Sequence, residues 1–125
     1  MSFFNIDPNI TKFPPEETRI KSLRVKPYED GKRVLVSIEV TPYMIRPMVE
    51  LRITDAEGNI CGEATIVEPP FWKQELTMHI KGNSTKGTKY ILEVRLIYPD
   101  LPTHAKKQKK FVFPDSTPTI SIEER

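Results

Sequence analysis

The most regular alternation in this sequence runs over Gly87-Thr88-Lys89-Tyr90-Ile91-Leu92-Glu93-Val94-Arg95-Leu96, with large apolar side chains at 90, 92, 94 and 96. The wider segment 32–98 repeats the pattern, and Val34, Val36, Ile38 and Val40 fall on one face of another strand. A period of two predicts β-strands with one buried face. Prolines are spread through the whole chain, so a long helix is not expected.

Working outward from these segments, we predict seven strands, at 18–26, 32–41, 48–54, 60–67, 74–81, 89–98 and 105–113. The turn Asp55-Ala56-Glu57-Gly58-Asn59 should join the third and fourth strands as a hairpin. Pro69-Pro70-Phe71-Trp72 should carry the chain from one sheet to another. Seven short strands separated by turns suggest a sandwich or a barrel. We expect an all-β, seven-stranded antiparallel sandwich at 18–113, an irregular N-terminal arm at 1–17 and a flexible tail at 114–125.

The segment 88–94 resembles the sixth strand of fibronectin type III domains, in which a tyrosine begins an alternating strand after a loop glycine. The resemblance implies an immunoglobulin-like sandwich. It also implies that Tyr90 forms a tyrosine corner, with its hydroxyl bonded to backbone a few residues upstream. The facing cysteines of antibody domains are absent, and Trp72 falls in a connection, so the resemblance is to a disulfide-free member of the class. The run from Thr41 to Gly58 is similar to small uncharacterised bacterial proteins, which implies no function.

The composition narrows the classes of function. The net charge of +2 favours no particular partner, so an electrostatic argument must be local. Cys61 is the one cysteine, which excludes an internal disulfide and a cysteine-based zinc site. The first residues lack the pattern of a signal peptide, and no apolar run is long enough to cross a membrane. We therefore expect a cytoplasmic protein without a membrane span.

We find no catalytic motif. Cys61 with His79 or His104 would be the one available nucleophile and base, but no orienting acid accompanies them, and Cys61 is an ordinary strand residue after a turn. Asp55, Glu57 and Asn59 alternate in a turn but lack the glycine and glutamate of a calcium loop. We therefore expect no catalytic residues, no metal, no cofactor and no enzymatic activity.

Apolar residues outside the predicted core are candidates for an interface. Ile91 and Ile97 should point outward from the sixth strand, where a row of apolar side chains on a sheet face can mark a contact. Phe3 and Phe4 in the arm either cover one end of their own domain or dock on a second subunit. Trp72 is either part of the core or an exposed anchor, since aromatic side chains dominate interface energetics.

The sharpest charge feature is the cluster of Lys106, Lys107, Lys109 and Lys110. Four lysines in five residues can bind phosphates or an anionic surface. They also protect an edge strand from pairing with another chain. Our leading hypothesis is a non-catalytic β-sandwich that binds a protein partner or itself. The alternative is that 106–110 bind nucleic acid or an anionic surface.

Overall fold

The computed structural model describes residues 10–82, 87–103 and 105–113. A short 3-10 turn at Pro15–Glu17 precedes the strands. No helix in these ranges is long and apolar enough to cross a bilayer. The seven strands are β1 (Ile20–Pro27), β2 (Arg33–Val40), β3 (Met48–Asp55), β4 (Ile60–Val67), β5 (Lys73–His79), β6 (Lys89–Ile97) and β7 (Ala105–Val112).

The strands form two antiparallel sheets that face each other. One has the order β1-β2-β5 and the other the order β4-β3-β6-β7. Strands β3 and β4 form a hairpin, and the chain passes between sheets from β4 to β5 at Pro69–Trp72, as expected. The all-β sandwich predicted from the alternation is confirmed.

The core lies between the sheets, and the alternation in sequence explains which side chains enter it. From Tyr90 onward, strand β6 alternates between buried and half-buried residues. Because a period of two places successive side chains on opposite faces, one face of each central strand is removed from water. The bulkiest side chains with almost no exposure are Leu51, Ile53, Leu92, Leu96, Val34, Val36, Val49 and Val94.

Two strand boundaries differ by two residues from those predicted, and the others agree to within one residue. The first strand begins at Ile20 rather than at residue 18, because Thr18 is fully buried and its hydroxyl donates to the carbonyl of Pro14 at 2.9 Å. The fifth strand ends at His79 rather than at 81. There Lys81 leaves its sheet, and its N–H donates to the carbonyl of Cys61 in the opposite sheet at 2.8 Å.

The connections divide between the two ends of the sandwich. At the turn end, the carboxylate of Asp55 accepts the backbone N–H groups of Glu57 and Asn59, both at 2.9 Å. These bonds, that of Asn59 foremost, lower the pKa of Asp55. Gly58 provides the left-handed conformation that this turn needs, with φ of +88°. The opposite end, here called the proline-rich end, comprises 10–19, 41–47, 68–72 and 98–103. It contains Pro14, Pro15, Pro42, Pro47, Pro69, Pro70, Pro99 and Pro102.

Candidate interaction surface at the proline-rich end

Two tyrosine hydroxyls fix the long connection at 41–47. The hydroxyl of Tyr43 donates to the carbonyl of Pro69 at 2.6 Å in a buried position. The hydroxyl of Tyr98 donates to the carbonyl of Ile45 at 2.7 Å. A proline-rich segment has few backbone donors of its own, so side chains must satisfy its carbonyls when they are buried. These two bonds tie the connection to both of the other loops at this end.

The described part of the N-terminal arm lies against the same connection. The N–H of Phe13 donates to the carbonyl of Pro42 at 2.8 Å, and the N–H of Met44 donates to the carbonyl of Phe13 at 2.9 Å. Residues 13 and 43 thereby form an isolated parallel bridge. The arm from Phe13 onward is therefore held on its own domain. Phe3 and Phe4 lie outside the described residues, so their contacts stay a prediction.

Trp72 lies between the core and the surface. Its ring stacks on that of Phe71 with centroids 4.5 Å apart, and it meets the ring of Tyr43 edge-on at 6.1 Å. The side chain is half-buried and packs against the core. The sequence left a core role and an anchor role open. The contacts assign Trp72 a core role on one side and leave its other side at the surface.

Four large apolar side chains are exposed at this end of the sandwich, and none of them was predicted from the sequence. They are Met44, Ile45, Met48 and Val67, with exposed fractions of 64%, 57%, 38% and 65%. We call this group the apolar corner. Met48 and Val67 are cross-strand neighbours on β3 and β4, and Met44 and Ile45 precede them in the connection. The available signal was the pair Met44-Ile45 between Pro42 and Pro47, where no alternating pattern gives apolar residues a buried face.

The two outward isoleucines of β6 lie near opposite ends of the strand. Both are half-buried on the outer face of the four-stranded sheet. Ile97 lies opposite Met48 and therefore borders the apolar corner. Ile91 lies near the turn end, opposite Thr54 and Lys110. As the sequence predicted, Glu93 and Arg95 lie between the two isoleucines on this face, so Ile97 borders the apolar corner and Ile91 does not.

The lysine cluster makes up half of edge strand β7, and its side chains are divided between the two faces of the sheet. Lys106 and Lys110 lie opposite Arg95 and Ile91 on the outer face. Lys107 and Lys109 lie opposite the buried residues Val94 and Leu92, so they occupy inward positions of an edge strand, yet they are exposed. Inward charges on an edge strand are a known device against edge-to-edge association. The division favours edge protection over a single anion-binding patch.

The thiol of Cys61 makes no hydrogen bond to the imidazole of His79, although the backbone of His79 lies close to Gly62. Cys61 is buried and its thiol donates to the carbonyl of Asn59 at 3.5 Å. Burial, with a contribution from Asp55, raises the pKa of this thiol, which disfavours the reactive thiolate. His79 is exposed in the other sheet, and His104 lies outside the described residues. Among the described residues, no group of three or more His, Cys, Asp or Glu side chains is arranged to hold a metal ion.

Tyr90 fills the turn end of the core. Its ring stacks on Phe111 at 5.4 Å and meets Phe113 edge-on at 5.7 Å. The side chain is buried at the start of β6, where a tyrosine corner would place it. Residues 83–86, immediately upstream, lie outside the described residues. The hydroxyl bond implied by the resemblance therefore stays a prediction.

Comparison with known proteins supports the fold. No protein-family model and no curated protein sequence matches the chain. Among solved structures, the fold is similar to part of the β-glucuronidase of Parabacteroides merdae, with a TM-score of 0.59, 18% identity and coverage of 78% of this chain and 14% of the enzyme. The fold is also similar to part of a glycosyl hydrolase family 2 member from Bacteroides cellulosilyticus DSM 14838. The TM-score is 0.55 at 12% identity, and the match covers 77% of this chain and 15% of that protein. For the β-glucuronidase of Ruminococcus gnavus, the TM-score is 0.52 at 17% identity, and the match covers 78% of this chain and 16% of the enzyme.

This chain thus spans only a small part of the length of those enzymes. At such low identities the likeness concerns the fold and does not transfer an activity. The matches are consistent with an immunoglobulin-like arrangement of two antiparallel sheets. The chain folds as a β-sandwich domain of a kind that also occurs as one part of larger glycosidases.

Proposed function

We propose that this chain is a non-catalytic β-sandwich module that binds a protein partner, or itself, through its proline-rich end. The observation that carries the proposal is the apolar corner. Single exposed apolar residues are ordinary on protein surfaces, but a contiguous group of large ones marks an interaction site. Met48 lies between Val67 and Ile97 on the outer face of the sheet. Met44 and Ile45 are exposed in the connection that leads into β3.

The backbone beneath the apolar corner supports this role. The bonds from Tyr43 to Pro69 and from Tyr98 to Ile45 hold the connection in one conformation before any partner arrives. Less conformational entropy is lost when a preorganised surface binds. Methionine side chains adapt to the shape of a partner, because they are unbranched and polarizable. The apolar corner therefore combines a fixed backbone with adaptable contacts.

The remaining features fit a non-catalytic role. The thiol of Cys61 is buried and donates to the carbonyl of Asn59, whereas His79 is exposed, which disfavours their acting as nucleophile and base. In the constant-type immunoglobulin arrangement, the fourth strand joins the sheet of the first, second and fifth. Here β4 pairs with β3 instead. We therefore prefer the resemblance to fibronectin type III domains over one to constant-type immunoglobulin domains.

We also propose a cytoplasmic location, because the chain has a single cysteine and small secreted domains usually carry disulfides. The divided lysines weigh against the alternative of nucleic-acid or anionic-surface binding.

Site-specific photo-crosslinking in cells tests this proposal. A photoreactive amino acid is placed at Met44 or at Ile45, and in a matched control at Glu57, which is exposed at the turn end. We expect a discrete protein adduct of defined mass from positions 44 and 45 and none from position 57. Equal labelling from all three positions, or no adduct from 44 and 45, would contradict the proposal.

A further inference from the structure

Three of the four sheet edges carry charges or other features that oppose pairing with another strand. Edge strand β7 carries four lysines. Edge strand β1 carries Lys21, Arg24 and Lys26, has a bulge near its start and ends in Pro27. Edge strand β5 carries Lys73, Glu75 and His79 among its seven residues. The fourth edge, β4, has the sequence ICGEATIV, in which Glu63 is the one charged residue. Such an edge is open to pairing.

The free part of β4 is bounded on both sides. At its start, the bond from Lys81 to the carbonyl of Cys61 joins this edge to the opposite sheet. Next to that bond, a Cβ on Gly62 would lie 2.9 Å from the carbonyl oxygen of His79. After Val67 the chain turns away at Glu68, whose φ is +47°, and continues into Pro69 and Pro70. Residues 63–67 are therefore the segment that a further strand can reach.

We propose that this segment pairs with the same segment of a second copy of the chain, antiparallel and about a two-fold axis at Thr65. Of the possible registers, this one uses all five residues of the free segment. It places Thr65 opposite Thr65, Ala64 opposite Ile66 and Glu63 opposite Val67 of the second copy. Two four-stranded sheets thereby join into one sheet of eight strands. Closed two-fold association of this kind is the commonest form of soluble homo-oligomer.

The side chains of the segment are compatible with this register. Cross-strand Thr–Thr pairs and pairs of apolar residues stabilise antiparallel sheets. Ala64 and Ile66 pack against the core but are only half-buried at the free edge, so a facing strand would cover them further. Glu63 already has a cationic partner on its own sheet, since its carboxylate lies 3.3 Å from Arg52. It would face Val67 of the second copy and meet no like charge.

The same two-fold pairing would be unfavourable on edge strand β7, because it sets lysines opposite lysines. A two-fold pairing centred on Gln108 would set Lys106 opposite Lys110 and Lys107 opposite Lys109. Like charges directly opposite each other destabilise a sheet. Self-pairing is therefore favoured on β4 over β7, and Val67 at the end of β4 belongs to the apolar corner. The inference rests on the proposed function and deepens it by identifying the partner as a second copy.

Sedimentation velocity over a concentration series, from micromolar to millimolar protein, tests the pairing. Because the segment is short, we expect a reversible dimer that forms as concentration rises. Thr65→Lys should weaken the dimer at least tenfold, since it sets two ammonium groups against each other at the axis. Thr77→Lys, at an exposed position of β5, is the matched control and should leave the dimer unchanged.

A mixture of two variants makes the test specific for the register. Thr65→Lys and Thr65→Glu should each be monomeric alone, whereas a 1:1 mixture should dimerise, because the axis then joins opposite charges. Thr65 is exposed, so neither charge should disturb the core. Thermal melting of each variant verifies that it is folded. A wild-type chain that stays monomeric, a dimer unaffected by Thr65→Lys, or a mixture that stays monomeric would overturn the proposal.

The outcomes separate this inference from the proposed function. If position 45 crosslinks to a different protein and the wild-type chain stays monomeric, the self-pairing is wrong and the proposed function stands. If a Thr65-dependent dimer forms and positions 44 and 45 give no adduct, the edge pairing stands and the assigned contact surface is wrong.

Discussion

The hydroxyl of Tyr43 donates to the carbonyl of Pro69 across the proline-rich end, at 2.6 Å. The two residues lie 26 positions apart, in the two connections that pass between the sheets at this end. One buried hydrogen bond thus sets the relative position of both crossings. The same ring supports Trp72 edge-on, so Tyr43 joins the core to the proposed contact surface.

We expect Tyr43→Phe to destabilise the protein by about 1–3 kcal/mol, because it leaves the buried carbonyl of Pro69 without its donor. The measurement is the free energy of unfolding from urea titration at neutral pH. Ile45 accepts an equivalent bond from Tyr98, and Tyr98→Phe should act in the same direction. A Tyr43→Phe variant as stable as the wild type would show that the bond contributes nothing.

The stability of the protein should fall at alkaline pH, partly because of Tyr43. Burial raises the pKa of Tyr43 to about 12, from an ordinary value of 10.0. The unfolded chain therefore releases this proton at lower pH than the folded chain, and the stabilising contribution, complete below pH 10, is lost as pH rises toward 12. Tyr43→Phe should show a shallower decline over this range. All other ionisable groups are the same in the two proteins, so their effect cancels in the difference between the two urea midpoints.

Trp72→Ala should lower the free energy of unfolding by about 2–4 kcal/mol, since the ring is lost from between Phe71, Tyr43 and the core. Thermal melting measures the effect. Val67→Ala, which truncates a side chain 65% exposed, is the control and should leave the midpoint nearly unchanged. An unchanged midpoint for Trp72→Ala would mean that the ring belongs to the contact surface alone.

Gly62→Ala should destabilise the sandwich by about 1–3 kcal/mol. The new Cβ would lie 2.9 Å from the carbonyl oxygen of His79, and because that atom is backbone, the two sheets must move apart. This cost exceeds the gain of under about 1 kcal/mol from stiffening the unfolded chain. Thr65→Ala on the same strand, at an exposed position, controls for the change in β-propensity. Equal stability of Gly62→Ala and wild type would show that the sheets can separate freely here.

The inward lysines of β7 should matter for solubility. We expect the double variant Lys107→Thr with Lys109→Thr to associate faster than Lys106→Thr with Lys110→Thr. Both variants lose the same charge, but only the first removes the charges at inward positions of the edge. Static light scattering over time measures the association. Equal rates for the two variants would contradict a role for the inward position.

The sequence predicted the framework because alternation is a local property. In β2 and β6 a repeating apolar side chain marks the buried face without knowledge of the other sheet, and β4 was placed from residue 60 to 67 as observed. The hairpin between β3 and β4 followed from Asp55 and Gly58. The inward orientation of Lys107 and Lys109 needed the register of β7 against β6, which lysines in succession do not reveal.

The candidate surface was harder to predict, because it depends on how connections pack. Met44 and Ile45 are apolar residues in a loop, and the sequence alone cannot show whether a loop covers them. Thr18 was predicted to lie in the first strand, yet it precedes that strand and its hydroxyl donates to the carbonyl of Pro14. Trp72 was left between two roles because its neighbours Phe71 and Tyr43 come from two different connections, and their convergence is a property of the folded chain.

Strands β1 and β7 run in the same direction, so the described chain enters the sandwich at the proline-rich end and leaves it at the turn end. A force that pulls these two points apart acts along the strands. It would load the hydrogen bonds between β1 and β2, and between β6 and β7, all at once and in shear. If both points of attachment were at the same end of the sandwich, the same bonds would break one after another. We therefore expect this arrangement of the first and last strands to resist a force along the strands better than a force applied at one end.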